Sequence, residues 1–277
     1  MCHFCHYTKS PVFQRIRLIS DLIRALAFSR FICIITTLLI IFIQSVMSSI
    51  IIALDFANPE EAIDFTEKMA NTHCRFKIGK ELFTRTGPSF VEHLQKQGFK
   101  VFLDLKYHDI PNTVAKACQA AADLGIWMLN VHALGGRNML MAAREALTRY
   151  SNPPLLIAVS ILTSLDEKDL REIGLQGRLE ENVLRLAKLA HTCGLDGLVC
   201  SPLEIKLIHT KVSQDLQLVT PGIRLAHSPQ DDQKRIMTPA EAWQAGANYL
   251  VIGRPITTAV DPLKVFLDIE KSRQLTL

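Results

Sequence analysis

Beyond residue 46 the chain has no surplus of charge. The formal net charge of +4 arises in residues 1–46, where Lys9, Arg15, Arg17, Arg24 and Arg30 face Asp21 alone. The remainder balances, which leaves no diffuse basic surface to attract nucleic acid. The cysteines lack an even count, so they cannot all pair: seven residues, at positions 2, 5, 33, 74, 118, 193 and 200. An odd, scattered set in apolar or helical surroundings argues against a disulfide framework and suits a reducing cytoplasm. "CHFCH" at residues 2–6 resembles a metal motif, but no second Cys/His pair lies nearby to complete the four ligands of a structural zinc. No metal and no organic cofactor is expected.

Long hydrophobic runs are few. "FICIITTLLIIFI" at residues 31–43 covers 13 residues, short of the ~20 that span a bilayer. Stretching it to Ile52 would consume "SIIIALDF", which reads better as a first strand. Three readings fit residues 1–46: a membrane signal, an anchor, or an extension upstream of a start at Met47. The last is preferred, because "MSSIIIALDF" opens a compact domain directly. Membrane association is not expected. The chain is therefore divided into an N-terminal extension, 1–46, and one domain, 47–277, without internal linker or low-complexity segment.

Apolar residues make up 48% of the chain and charged residues 21%, enough for a sizeable core. From residue 49 onward, short apolar runs alternate with longer helical patterns. The runs are 50–55, 75–79, 100–105, 126–131, 155–160, 196–200, 216–220 and 249–253. Most are continuously apolar, as parallel strands covered on both faces must be. Between them "PEEAIDFTEKMA", "PSFVEHLQKQG", "NTVAKACQAAADLG" and "RLEENVLRLAKLAHTCG" carry apolar residues at helical spacing. Eight such units predict an α/β fold of one class, a single (β/α)8 TIM barrel. A doubly wound sheet is the runner-up, but no GxGxxG turn follows the first run.

Polar residues gather where these strands end. Asp55 closes the first run, Lys77 sits in the second, and Asp104, Lys106 and Asp109 close the third. His132, Thr163, Arg224 and the "GRPIT" of Gly253 and Arg254 follow strands four, five, seven and eight. Active sites of such barrels lie at that end, with phosphate bound after strands seven and eight. Pro255 is placed to open a helix whose N–H groups would face an anion. The polar stretch from Ile223 to Pro239 could close as a lid. Period-two alternation points Asp104 and Lys106 to one side. Such a lysine is either a positioned proton donor or one member of a structural ion-pair network.

Several stretches together carry a resemblance: "ALDFAN", "FKIGKELFTRTGP", "FLDLKYHDIPNT", "NVHALGG", "LLIAVSILTS", "GLDGLVCS", "LVTPGIR" and "RIMTPAEAWQAGANYLVIGRPIT". From about residue 50 to 266 the sequence resembles the orotidine 5′-phosphate decarboxylases. The resemblance implies that Lys106 protonates C6 of the pyrimidine as CO2 leaves, with Asp104 against the departing carboxylate. It implies that Lys77 and Asp55 bind the ribose and that Thr163 contacts the base. It also implies that Gln233, Gly253 and Arg254 hold the phosphate, supported by Arg224. Asp109 and Thr113 would reach into a neighbouring subunit, making the enzyme a homodimer with shared sites. The alternative is a magnesium-dependent sugar-phosphate decarboxylase or aldolase on the same barrel, using a similar Asp-x-Lys-x-x-Asp group.

Overall fold

Eight parallel strands close in chain order into a barrel in the computed structural model, which describes residues 48–225 and 236–274. They are β1 (Ile50–Leu54), β2 (Arg75–Gly79), β3 (Lys100–Tyr107), β4 (Met128–His132), β5 (Leu155–Val159), β6 (Gly197–Val199), β7 (Gln217–Thr220) and β8 (Tyr249–Ile252). β8 pairs back onto β1 through Ile50–Leu250 and Ile52–Ile252. The fold is the expected (β/α)8 barrel, and each strand ends within two residues of the run that predicted it. The expected extension over 1–46, most of the expected lid, and Gln233 lie outside the described residues. Among the described residues no helix is long and apolar enough to cross a membrane.

Helices form where the local chemistry stops and starts them. Pro59–Lys68 opens with proline in its first turn, and the Asn58 side chain accepts a hydrogen bond from the Glu60 N–H at 2.9 Å. That satisfies one of the donors a helix start leaves unpaired. The helix Pro111–Asp123 ends before Gly125, whose φ of 71° is easy for glycine alone. One glycine has a different purpose. A Cβ on Gly197 would stand 2.1 Å from the Gln217 carbonyl oxygen, so only glycine lets β6 and β7 approach this closely.

Alternation along the strands divides the core in two. Ile50, Ile52 and Leu54 of β1 face outward into the large cluster shared with the helices. Ile51, Phe102, Met128, Ile157 and Val219 face inward and fill the barrel's waist. Burial of each such side chain contributes about 1.5–3 kcal/mol. The inward positions above this apolar layer, at the C-terminal ends of the strands, carry the charged groups.

Candidate active site

β1, β2 and β3 and the segments after β5, β7 and β8 bring polar groups to the barrel's C-terminal mouth, around a cavity of about 530 Å³. Asp55, Lys77, Asp104 and Lys106 line one side of it, and Thr163 lies after β5. Arg224, Gly253 and Arg254 line the part beyond β7 and β8. The apolar residues Phe102, Val159, Val219 and Val251 form its inner wall.

The four charges on the β1–β3 side form an unbroken chain of alternating sign. Lys77 Nζ lies 3.2 Å from Asp55 Oδ1 and 3.3 Å from Asp104 Oδ2. Lys106 Nζ donates to Asp104 Oδ1 at 2.7 Å. Exposure falls from 66% for the Asp55 side chain to 10% for Asp104 and rises to 28% for Lys106. Burial alone would disfavour the Lys77 ammonium, but Asp104 and Asp55 outweigh it and hold its pKa above the ordinary lysine value. Burial likewise opposes ionisation of Asp104, and Lys77, Lys106 and the hydrogen bonds to it prevail, holding it below the usual carboxylate range. Both groups are therefore charged at neutral pH.

Lys106 does not reach Asp104 by the simple alternation read from the sequence. The β3–β4 register shifts between Leu103 and Tyr107, and Lys106 has a φ of 51°. It is the one non-glycine residue with positive φ among the described residues. A left-handed residue costs about 1–2 kcal/mol, and a bulge of this kind re-aims a side chain. The N–H that the bulge frees from the ladder is bonded to Asn130 Oδ1 at 2.8 Å. Asn130 Nδ2 in turn donates to Asp104 Oδ1 at 2.6 Å. Asn130 is 1% exposed. Sequence reading passed over it as one letter of the apolar run "IWMLNV". An amide inside such a run is the signal, since a buried amide must find partners.

The remaining expected residues fall differently. Asp109 and Thr113 lie outside the cavity, exposed on the turn after β3 and the start of the following helix. Asp109 Oδ1 accepts from the Ile110 N–H at 2.6 Å. After β7, Gly222 takes a φ of 78° that turns the chain toward the rim, and the Arg224 N–H bonds the Met237 carbonyl. The helix after β8 is only Arg254–Thr257. Its Ile256 and Thr257 N–H groups already bond the Gly253 carbonyl, and Pro255 has none. The row of free N–H groups expected from that helix is therefore not formed by Pro255, Ile256 or Thr257. Among the described residues, chain neighbours aside, no atom comes nearer than 3.5 Å to a Cβ built on Gly253; their packing does not demand glycine there.

His132, at the end of β4, stacks on His108 with ring centroids 5.3 Å apart. Burial, then the His108, Lys106 and Lys80 charges, pushes its pKa down to about 4, so it stays neutral near pH 7. Cys118 and Cys200 are buried in the core. Among the described residues no group of three or more His, Cys, Asp or Glu side chains could hold a metal ion.

Comparison with known proteins agrees over nearly all of the barrel. A model of the orotidine 5′-phosphate decarboxylase / HUMPS family matches residues 48–269. The orotidine 5′-phosphate decarboxylase of Hydrogenovibrio crunogenus is 58% identical over 223 residues, covering 80% of this chain and 94% of that protein. That of Chromobacterium violaceum is 57% identical over 216 residues, covering 78% and 87% respectively. Among solved structures, orotidine 5′-phosphate decarboxylase from Lactobacillus acidophilus is similar with a TM-score of 0.71 at 40% identity, over 81% of this chain and 98% of that one.

Proposed function

We infer, from the premise that the chain belongs to the orotidine 5′-phosphate decarboxylase / HUMPS family, that it converts orotidine 5′-phosphate to UMP and CO2. The observation that carries this reading is the ion chain Asp55–Lys77–Asp104–Lys106, buried at Lys77 and Asp104, beside an apolar-walled cavity. The substrate's carboxylate lies against Asp104. At ~4 Å, with an effective dielectric of ~20, two like charges repel by ~4 kcal/mol. The bond between C6 and the carboxylate breaks, its electron pair stays on C6, and CO2 leaves neutral, relieving that repulsion. Lys106 Nζ supplies the proton to C6 and regains one from solvent. The two ammonium groups stabilise the developing carbanion without reorganising, because the carboxylates already hold them in place.

Lys77 and Asp55 take the ribose hydroxyls, and Thr163 the pyrimidine. Arg254, the Gly253 backbone and Gln233 hold the phosphate, with Arg224 in support. Binding energy from this remote group is converted into catalysis at C6. Asp109 and Thr113 complete the site of a second copy of the chain in a homodimer, which fits their exposure outside their own cavity. The catalytic domain occupies 47–277 and works in the cytoplasm.

The magnesium-dependent sugar-phosphate reading is not favoured. Asp104 Oδ1 already accepts from Lys106 and Asn130, and Oδ2 faces Lys77. A divalent cation would have to displace one of these donors. The deciding experiment follows the absorbance of orotidine 5′-phosphate in the presence of EDTA, with residues 47–277 beside the full-length chain. Turnover by both is expected. No turnover, with magnesium-dependent activity on a sugar phosphate instead, would transfer the site to the rival reading.

A further inference from the structure

We propose that Asn130 is the positioning residue that aims the Lys106 ammonium, by clamping the Lys106 backbone and the Asp104 carboxylate with one side chain. The inference rests on the reading of Lys106 as the proton donor. Its basis is geometric. The amide oxygen of Asn130 accepts from the Lys106 N–H at 2.8 Å, and its Nδ2 donates to Asp104 Oδ1 at 2.6 Å. The same Asp104 oxygen accepts from Lys106 Nζ at 2.7 Å. A closed loop of hydrogen bonds therefore runs from the Lys106 backbone, through Asn130 and Asp104, to the tip of the Lys106 side chain. It spans the register shift at which Lys106 holds its positive φ.

Without the clamp, the freed N–H of a buried bulge has no ladder partner, and the ordinary remedy is a return to regular strand pairing. That return would change φ at Lys106 and swing its side chain. Asn130 itself has no reason to be placed on substrate: both of its polar atoms are committed, and it is not among the residues lining the cavity. It acts through Lys106 and Asp104.

Two variants test this. Asn130→Leu keeps the branched shape of the side chain and removes both hydrogen bonds. It should lower kcat about 10²-fold, the scale of a displacement near 1 Å in a reacting group, while KM for orotidine 5′-phosphate and calorimetric binding of UMP stay near the parent's. Asn130→Asp carries a sharper signature. A protonated carboxyl can accept from the Lys106 N–H and donate to Asp104, reproducing the clamp. An ionised one can only accept, and it repels Asp104.

The groups facing Asp104 are Lys77 from β2, Lys106 on its own strand and Asp55 beyond Lys77. His132, further along β4, has its pKa pushed down to about 4, so it is neutral wherever the new carboxyl titrates above that value. The kcat of Asn130→Asp relative to the parent should therefore rise as pH falls through the pKa of the new carboxyl. A merely structural role would give no such pH-dependent recovery.

The parent is measured first in the same assay. No turnover by the parent would overturn the underlying reading and this inference with it. Parent turnover matched by a folded Asn130→Leu protein would overturn the inference alone. If the Leu variant does not fold, Asn130→Asp decides: a kcat ratio to the parent that stays flat with pH would overturn the proposal.

Discussion

Lys77 and Arg75 stand two residues apart on β2, both inward and both buried to about the same degree, 9% and 6% exposed. Their surroundings are opposite. Lys77 lies at the mouth between two carboxylates and keeps its charge with a raised pKa. Arg75 lies at the floor, its guanidinium 4.5 Å from the Trp127 ring centroid and 5.2 Å from that of Tyr249. Its Nε and Nη1 bond no group among the described residues, and burial lowers its pKa. Between them lies the apolar waist of Ile51, Phe102, Met128, Ile157 and Val219. Burying a cation is thus not by itself a mark of function. What distinguishes the mouth is a network in which each ion is held by the next and faces a cavity.

The largest effect should come from the end of that network. Replacing Lys106 by Ala should lower kcat by about 10²–10⁴-fold, as loss of a positioned proton donor does. UMP binding and far-UV circular dichroism should change little. Near-parent turnover would remove Lys106 from its role and make the mouth, like the floor, a structural ion cluster. A smaller loss is expected at the phosphate end. A charge-assisted hydrogen bond contributes about 1.5–3 kcal/mol, so Arg254→Ala should raise KM about 10–100-fold. A KM equal to the parent's would place the phosphate elsewhere.

If the proposed homodimer forms, the exposed carboxylate of Asp109 extends the comparison to a second subunit. Lys106→Ala and Asp109→Ala proteins, each inactive alone, should regain activity when mixed. In a two-fold dimer with shared sites, random exchange leaves one intact site in half of the dimers, or about a quarter of parent activity. No regain after exchange is demonstrated by mass-tagged subunits would separate Asp109 from the network.

Much of this was legible in the chain. Parallel strands buried on both faces are written as continuous apolar runs, so "IIIAL" and "LLIAV" showed themselves without reference to their neighbours. The charges were legible because Asp104 and Lys106 interrupt such a run. Three features were not. The bulge at Lys106 depends on the β3–β4 register, which no local pattern records. Asn130 is functional only by virtue of what lies across that register, 24 and 26 residues away in sequence. Gly197 matters because the Gln217 backbone approaches it. Contacts between strands decide all three, and a single strand's letters do not contain them.

The smallest effect on catalysis should come from the floor, and it is best measured against its neighbour on the same strand. Arg75→Met retains much of the side chain's volume and leaves no carboxylate unpaired. The lost cation–π contacts cost about 1–2 kcal/mol, offset by no longer burying a charge. Thermal unfolding should therefore shift by only a few degrees, with kcat and KM close to the parent's. Lys77→Met removes a cation from between Asp55 and Asp104, leaving a buried carboxylate short of a partner at a cost of about 3–5 kcal/mol. That variant should lose both stability and turnover. Since the apolar waist separates the two sites, a large fall in kcat for Arg75→Met would mean that the floor is coupled to the mouth through the barrel interior. Equal behaviour of the two variants would mean that the network at the mouth is no more than packing.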